Sequence, residues 1–308
     1  MASMITMFLQ SAYSMIDGLF VSNLIGDTAL SAVNVAWPVI AVVTAIGTGV
    51  GCGGAVMMST KQGEGKNEES NIVRANVILA LLASSIVVTI LFLILLTPLL
   101  KLMGAEGELL RLSQIYGRVM LTGGVLQILS CGLTPLLRND NRAVSAMMIM
   151  VGGLFANLGL DFVFMYAFHM GIGGAAGASL CAQLFTTVCC LMILCTKKTD
   201  PIRLSQFMIR KEYWKKIFKT AVSPFGISLT PSLLILYHNV ACLKFGGDLA
   251  VNAYALISST VGSYRVLLIG VAEGIQPLAS YAYGAHDFHA IRKIRNKAVI
   301  TAIGVSFF

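Results

Sequence analysis

A stretch of 38 residues occurs twice in this chain, at positions 26–63 and again 221 residues later at 247–284. The two copies align without a gap and share nine identical residues, well above the chance level for a composition so rich in alanine, glycine and valine. Each copy has a Gly-Asp turn, a long apolar segment with two glycines four positions apart, and a closing glycine. The shared glycines are Gly26, Gly49, Gly53 and Gly63 in the first copy and Gly247, Gly270, Gly274 and Gly284 in the second. We therefore interpret the chain as two related halves.

The composition indicates which solvent surrounds these halves. Hydrophobic residues make up 56% of the chain and charged residues only 12%, whereas charged residues approach about a quarter of an ordinary soluble domain. We therefore predict an all-helical protein that crosses a membrane several times. The net charge of +8 does not indicate a nucleic-acid partner, because the basic residues lie in short segments between apolar runs. The seven cysteines lie mostly within apolar runs and lack metal-ligand spacing, so we interpret them as packing residues.

Apolar segments of about 20 residues, the length that crosses the hydrocarbon core, mark the predicted spans. Eight segments reach this length, at about 1–24, 29–60, 74–100, 116–137, 143–168, 173–196, 217–244 and 250–283. A ninth begins near Ala298, and at Phe308 it has about 11 residues, too few to cross. We therefore expect the sequence to be a piece of a longer protein.

Basic residues predict the orientation. Of the 22 Lys and Arg residues, 17 follow spans 2, 4, 6 or 8, and the positive-inside rule places these segments in the cytoplasm. Spans 1 and 7 are separated by an even number of crossings, so the two copies of the repeat run in the same direction. Such a parallel repeat is related by an axis along the membrane normal, and transporters hold substrates and ions at repeat interfaces.

The longest connection divides the chain into two predicted lobes. Residues 1–196 form an amino-terminal lobe of six helices, residues 197–216 form a basic cytoplasmic linker, and residues 217–308 begin a second lobe. The piece 210–219 is amphipathic, so binding to lipid or to a calmodulin-like protein is an alternative to a simple interfacial linker.

Polar side chains inside the first-lobe spans are the candidates for an ion site, because an ionisable group in hydrocarbon must face a cavity or a partner. Gln10 and Asp17 share one face of span 1, and Asn157 and Asp161, four residues apart, share one face of span 5. A carboxylate beside an amide oxygen offers hard oxygen ligands to Na⁺, or a binding site for a proton. Ser179 follows a run of small residues in span 6 that allows close helix packing. The alternative is that the two aspartates lie at the membrane interface.

The second half carries different polar groups. Tyr237, His238 and Asn239 follow two prolines in span 7, where the helix is expected to bend. Arg265 and Glu273 lie about two helical turns apart on one face of span 8. We interpret these five residues as lining a substrate cavity. For Glu273 an alternative is open, in which it pairs with a basic residue on the cytoplasmic side.

Several motifs in combination resemble the multidrug and toxic compound extrusion (MATE) family. They are the segments 14–22 around Asp17, 26–32 at the first repeat turn, 137–140 before span 5, 157–161 and 174–179. The segment 270–278, which contains Glu273, resembles the bacterial branches of the family. The resemblance extends over essentially the whole chain.

This resemblance implies two six-helix lobes around a V-shaped cavity, with twelve spans in a complete member. It implies a transporter without enzymatic activity or a cofactor, which exports organic cations and drugs against an inward flow of Na⁺ or H⁺ by alternating access. It implies that Asp17, Asn157 and Asp161 hold the coupling cation, with Ser179 where members often have a threonine. We expect a monomer in the bacterial inner membrane, with small organic cations and the lipid bilayer as its partners.

Three other functions fit parts of the sequence. A lipid or oligosaccharide flippase has a related architecture, but its cavity should be more cationic than Arg265 and Arg118 would make it. An intramembrane aspartyl protease needs two facing aspartates, which Asp17 and Asp161 would supply, but the duplicated architecture argues against it. A receptor or an inert scaffold is favoured only by the interrupted ninth span. A transport assay in inverted vesicles separates the transporters from the other two classes.

Overall fold

The computed structural model describes residues 6, 7, 9, 25–195, 206, 207 and 209–306. Over these residues the regular structure is helical and no strand occurs, which confirms the all-helical prediction. The helices are α1 (Asp27–Gly63), α2 (Asn67–Leu102), α3 (Gly107–Thr122), α4 (Gly124–Asn139), α5 (Ala143–Asp161), a π-helical segment (Phe162–Ala167), α6 (Gly171–Cys195), α7 (Lys211–Gly284) and α8 (Phe288–Ser306).

Helices in the first half are long and apolar enough to cross a membrane. These are α1, α2, α6, and α5 continued through the π-helical segment, while α3 and α4 together form a fifth candidate span bent by 58°. They coincide with predicted spans 2–6. Ile86, Val87, Ile90 and Ile94 on the outer face of α2 are each more than half exposed. A continuous apolar face of this kind is unfavourable in water but suits lipid tails.

Three helices begin earlier than the apolar pattern predicts. Helix α2 begins at Asn67 rather than near 74, α3 at Gly107 rather than near 116, and α8 at Phe288 rather than near 298. Hydropathy detects only the part of a helix that lies in hydrocarbon, and each of these added segments contains charged residues. In α2 the added turn contains Glu68 and Glu69, whose negative charge is favourable at a helix amino terminus.

Helix α7 reverses direction within its length. Its early residue Ala221 contacts Gly53 of α1, and its late residue Tyr281 contacts Gly63, only ten positions further along α1. In a straight helix Ala221 and Tyr281 would lie about 90 Å apart. The rings of His238 and Tyr254 stack with their centroids 5.0 Å apart, so the reversal lies between them. The helix therefore has two arms side by side, where the sequence predicts spans 7 and 8.

Helix α1 is the centre of the bundle because glycines on two of its faces let other helices approach closely. A Cβ built on Gly47 would lie 2.7 Å from the carbonyl oxygen of Ile128 in α4, and one built on Gly53 would lie 2.7 Å from the backbone nitrogen of Ala221 in α7. Gly51 and Gly49 extend these two faces by one turn each. Small residues four apart are the usual means of close helix packing in membranes.

The two copies of the repeat meet at their closing glycines. A Cβ on Gly63 would overlap the carbonyl group of Tyr281, and a Cβ on Gly284 would overlap the carbonyl group of Thr60. In the alignment of the two copies, Gly63 corresponds to Gly284 and Thr60 corresponds to Tyr281. The two contacts are therefore equivalent. Reciprocal contacts of this kind mark a two-fold axis. They support the predicted repeat, with the axis passing between the ends of α1 and α7, and the direction of that axis relative to the membrane stays a prediction.

Candidate functional site

A buried carboxylate and an amide lie one turn apart near the end of α5. Asp161 is fully buried and Asn157 is 6% exposed. The amide nitrogen Nδ2 of Asn157 donates a hydrogen bond to Oδ2 of Asp161 over 3.0 Å. The i,i+4 spacing brings the two side chains together on one helix face, as the sequence predicts. Both side chains are therefore enclosed by the bundle, while the alternative in which Asp161 lies at the membrane interface stays open.

Asp161 is also the last residue before the helix changes its geometry. The chain continues as the π-helical segment Phe162–Ala167, in which the rings of Phe162 and Tyr166 stack with centroids 4.9 Å apart. It then turns through His169 and Gly171, both with positive φ. Single π-helical turns inside helices are frequent at functional sites. The backbone is therefore α-helical before Asp161 and irregular after it.

Helix α6 runs antiparallel to α5 and brings Ser179 to the depth of Asp161. Gly153 lies opposite Thr186, and Phe164 lies opposite Gly174. This register places Asp161 opposite Ala178, next to Ser179. No hydrogen bond between Ser179 and either site residue is found among the described side chains, so its contribution to the site stays a prediction.

Two other predicted members of this site, Gln10 and Asp17, lie outside the described residues. Their approach to Asn157 and Asp161 therefore stays a prediction. Within the described part of the chain, no group of three or more His, Cys, Asp or Glu residues could hold a metal ion. The Na⁺ site predicted from Asp17, Asn157 and Asp161 is of a different kind, since an amide supplies one ligand.

The predicted cavity residues of the second half fall into two groups at different depths. Tyr237 is 72% exposed, and Nδ1 of His238 lies 2.7 Å from the carbonyl oxygen of Leu234. Both residues lie near the reversal of α7, whereas Glu273 follows Tyr254 by 19 positions, about 28 Å along a helix. Tyr237 and His238 therefore do not share one pocket with Glu273.

Arg265 and Asn239 are the other two residues of the predicted cavity. Arg265 is exposed and forms no ion pair with a described residue. The side chain of Asn239 lies outside the described part. A substrate-lining role for all five residues stays a prediction.

Glu273 forms an ion pair with Arg138, which lies near the end of α4. One turn further, the amide of Asn139 donates to Oε1 of Gln276 over 3.3 Å, and Asn139 also accepts a hydrogen bond of 2.8 Å from the hydroxyl of Ser59 in α1. These bonds join the repeat helix of the second half to the first lobe. Glu273 therefore pairs with a basic residue, as the alternative predicts, and the cytoplasmic location of that residue stays a prediction.

A second buried ion pair lies beside this contact, within the first lobe. The Arg74 side chain is 1% exposed, and its Nη1 lies 3.5 Å from Oδ2 of Asp140. Asn71 accepts a hydrogen bond of 2.8 Å from Arg74, and Gln62 donates one of 3.2 Å to Asp140. The sequence pattern predicts that Arg74 is a loop charge. This prediction is wrong, because the Arg74 side chain points into the bundle from the first turns of α2.

A narrow crevice opens beside the Arg138–Glu273 pair. Its volume is about 10 Å³, enough for about one water molecule. It is lined by Thr6, Met7, Arg138, Ala143, Ala146, Met147, Met150 and Glu273. A larger cleft of about 280 Å³, entirely apolar in its side chains, lies between α1 and the first arm of α7, next to Phe218 and Phe225.

Comparison with known proteins identifies this arrangement of helices. The MatE family model matches residues 2–163 and 227–308, which together are well over half of the chain. The chain belongs to the MatE family.

Curated MatE relatives match nearly the whole chain. The multidrug export protein MepA of Staphylococcus aureus (strain N315) is 26% identical over 310 residues, which cover 99% of this chain and 67% of the relative. MepA of Staphylococcus saprophyticus is 25% identical over 306 residues, with the same coverage. The chain therefore spans about two thirds of the length of these relatives.

Solved MatE structures share the fold. An outward-facing multidrug resistance MATE transporter superposes with a TM-score of 0.93 at 26% identity, over 99% of this chain and 68% of that one. A MATE transporter in its bent conformation gives 0.91 at 26% identity, over 100% and 69%. A transporter from Pyrococcus furiosus gives 0.93 at 26% identity, over 99% and 68%, and its description reports a binding pocket of reverse polarity that suggests a different function.

Membership of the MatE family fixes the class of the protein. MatE proteins are multi-pass membrane transporters and not enzymes, so the predicted fold and the absence of enzymatic activity are confirmed. The aspartyl protease hypothesis is excluded by the same comparison. The sequence motif 137–140 was part of the family resemblance, but its role in joining α1, α2, α4 and α7 becomes visible only from the contacts of Arg138, Asn139 and Asp140.

Proposed function

We propose that this MatE protein exports organic cations and drugs by alternating access, driven by the inward flow of Na⁺ or H⁺. The observation that carries the proposal is the buried pair of Asn157 and Asp161 in the first lobe. A carboxylate held inside a membrane-spanning bundle is costly and is kept where a cation or proton must bind. The relatives described as multidrug export proteins supply the substrate class.

The coupling site in this proposal consists of Asp161, Asn157 and Asp17, with Ser179 and Gln10 as further ligands. Carboxylate, amide and hydroxyl oxygens are the ligands that hard cations take. A proton would use the same carboxylates, because two carboxylates that share a site bind a proton more readily than one alone. The π-helical segment after Asp161 is the element that we expect to change shape when the cation binds.

Coupling requires that the ion binds one conformation more tightly than the other. A ligand shifts a conformational equilibrium only by its difference in affinity for the two states. Ion binding at Asp161 is proposed to favour the conformation that releases drug outside and to allow the return of the empty cavity to the cytoplasmic side.

The membrane, the oligomeric state and the orientation of the protein also belong to the proposed function. We place it in the bacterial inner membrane as a monomer, with the basic segments after spans 2, 4, 6 and 8 in the cytoplasm. A flippase would need a cationic cavity. Two of the available cations, Arg74 and Arg138, are instead ion-paired with Asp140 and Glu273, which favours a drug exporter.

The decisive experiment is transport of an organic cation dye by the full chain reconstituted in vesicles, with an imposed Na⁺ gradient or an imposed pH gradient. We expect Asp161→Asn to abolish gradient-driven export while membrane insertion stays normal. The control is Glu108→Gln, which removes an exposed carboxylate paired with Arg111 and should leave export unchanged. Undiminished gradient-driven export by Asp161→Asn would remove Asp161 from the mechanism, and export that ignores both gradients would reject ion coupling.

A further inference from the structure

We propose that Glu273 and the methionine-lined crevice beside it are the site where organic cations bind from the cytoplasm, and that the guanidinium of Arg138 occupies this site as a resident cation while the lobes are in contact. This inference rests on the proposed function, because it assigns the first binding site of the exported compound. It places the site at the junction between α4 of the first lobe and the second arm of α7.

The composition of the crevice suits an organic cation. Met7, Met147 and Met150 supply flexible, polarizable side chains, which adapt to ligands of different shape. Glu273 supplies one carboxylate, and its side chain is still 21% exposed. An amphipathic cation needs apolar contact for its body and one negative charge for its head.

Arg138 already presents such a cation to Glu273. A guanidinium is planar, delocalised and weakly hydrated, so it resembles the head of an organic cation more closely than an ammonium does. Its side chain is only 8% exposed, and the remaining crevice has room for about one water molecule. An organic cation and Arg138 therefore exclude each other at this carboxylate.

The partner of Glu273 depends on the position of the lobes. Arg138 and Glu273 are carried by helices of different halves, and the closing glycines of the repeat, Gly63 and Gly284, touch nearby. Separation of these helix ends breaks the ion pair and widens the crevice. Glu273 then faces the cytoplasm without its resident cation, and the return of Arg138 displaces the bound compound when the helix ends close again.

The site is expected in one lobe only. The 221-residue shift aligns Glu273 with Cys52 of α1, so the equivalent position in the first half has no charge. A two-fold related pair of carboxylates would hold two cations at the axis. The single carboxylate instead gives one cation site beside the axis.

The test measures equilibrium binding of tetraphenylphosphonium, and of neutral triphenylphosphine oxide, to the full chain in lipid nanodiscs. Loss of the ion pair opens the helix ends in Arg138→Gln and in Glu273→Gln alike, but only the second variant loses the carboxylate. We expect Arg138→Gln to raise the affinity for tetraphenylphosphonium by about tenfold and Glu273→Gln to lower it by about tenfold, which corresponds to about 1.4 kcal/mol each. The affinity for the neutral compound should change by the same factor in both variants.

Two control variants keep the result interpretable. Arg138→Lys retains a resident cation and should bind tetraphenylphosphonium nearly as the wild type does. Arg142→Gln removes an arginine that faces Asp140 rather than Glu273 and should change neither affinity. The thermal unfolding midpoint of each variant confirms that it is folded.

Other results would overturn the inference. If both glutamine variants change the affinity for tetraphenylphosphonium in the same direction, the ion pair is only a latch between lobes and Glu273 is not a binding site. Unchanged affinity in Glu273→Gln also removes Glu273 as a binding site, while the proposed export function stands. If the wild type neither binds nor exports any organic cation, the proposed function itself fails, and the inference fails with it.

Discussion

The carboxylates of Asp161 and Glu273 are both held inside the helical bundle, but by partners of different origin. Asp161 accepts a hydrogen bond from Asn157, a neutral side chain one turn away on the same helix. Glu273 meets the guanidinium of Arg138, which belongs to another helix and to the other half of the chain. The bond between Asn157 and Asp161 lies within one helix, whereas the Arg138–Glu273 pair exists only while the two halves touch.

The ion pair of Asp140 shares one feature with each of these two arrangements. Its partner Arg74 lies on another helix, α2, but within the same lobe. If the lobes move as bodies, the Arg74–Asp140 pair stays intact when the Arg138–Glu273 pair breaks. The three carboxylates therefore differ in where their partners lie: within the same helix for Asp161, within the same half of the chain for Asp140, and in the other half for Glu273.

The largest effect is expected for the Arg74–Asp140 pair. Asp140→Asn removes a negative charge that faces the Arg74 side chain, which is only 1% exposed, and breaking a buried ion pair typically destabilises a protein by about 3–5 kcal/mol. The free energy of unfolding in mixed micelles measures the change. The exposed pair of Arg111 and Glu108 is the control, and Arg111→Gln should cost at most about 1 kcal/mol. A cost for Asp140→Asn no larger than that of the control would mean that Arg74 is not dependent on Asp140.

The contact between the halves can be tested at the two-fold axis. Gly63→Ala would place a methyl group against the backbone of Tyr281 and Ala285, and overpacking of this kind costs about 1–3 kcal/mol. Gly226→Ala is the matched control, because a Cβ there meets no atom within 4 Å, and alanine should favour the helix by up to about 1 kcal/mol. The same unfolding assay compares them. Equal effects of the two alanines would contradict close packing at the axis.

A smaller change in stability is expected at the local site. Asn157→Ala removes the hydrogen bond to Asp161, and hydrogen bonds between side chains in membrane helices are worth about 0.6 kcal/mol on average. The affinity for the coupling ion should fall much more, by about tenfold, if the amide oxygen is a ligand. Isothermal titration with Na⁺ in nanodiscs, at two pH values, measures that affinity. A large loss of stability with unchanged ion affinity would assign Asn157 a structural role.

The same contrast explains what the sequence could predict. Spacing within one helix brought Asn157 and Asp161 together, and the repeat predicted that α1 and the second arm of α7 run in parallel. The environment of Arg74 could not be predicted, because it depends on Asp140, 66 positions away, and a basic residue just before an apolar run is usually a loop charge. The apolar pattern also does not predict the 58° bend between α3 and α4, because it continues on both sides of Gly123.

The smallest effect is expected at the exposed turn that follows α1. Lys61 and Lys66 lie 2.9 and 3.0 Å from Oε2 of Glu64, and the hydrogen bond from Lys61, followed by that from Lys66, holds the pKa of this carboxyl below its ordinary value of 4.5. A lowered pKa in the folded state contributes stability above pH 4.5, and this contribution disappears as the pH falls through the folded-state pKa.

Glu64→Gln should therefore unfold at a slightly lower temperature than the wild type at pH 7, and the difference should shrink steadily below pH 4.5. Salt supplies the control, because at about 1 M the Debye length is about 3 Å and an exposed pair is largely screened. The difference at pH 7 should then decrease as well. A difference that is independent of both pH and salt would show that Glu64 acts through the packing of its side chain rather than through its charge, and the surface pair would then have no share in joining α1 to the loop before α2.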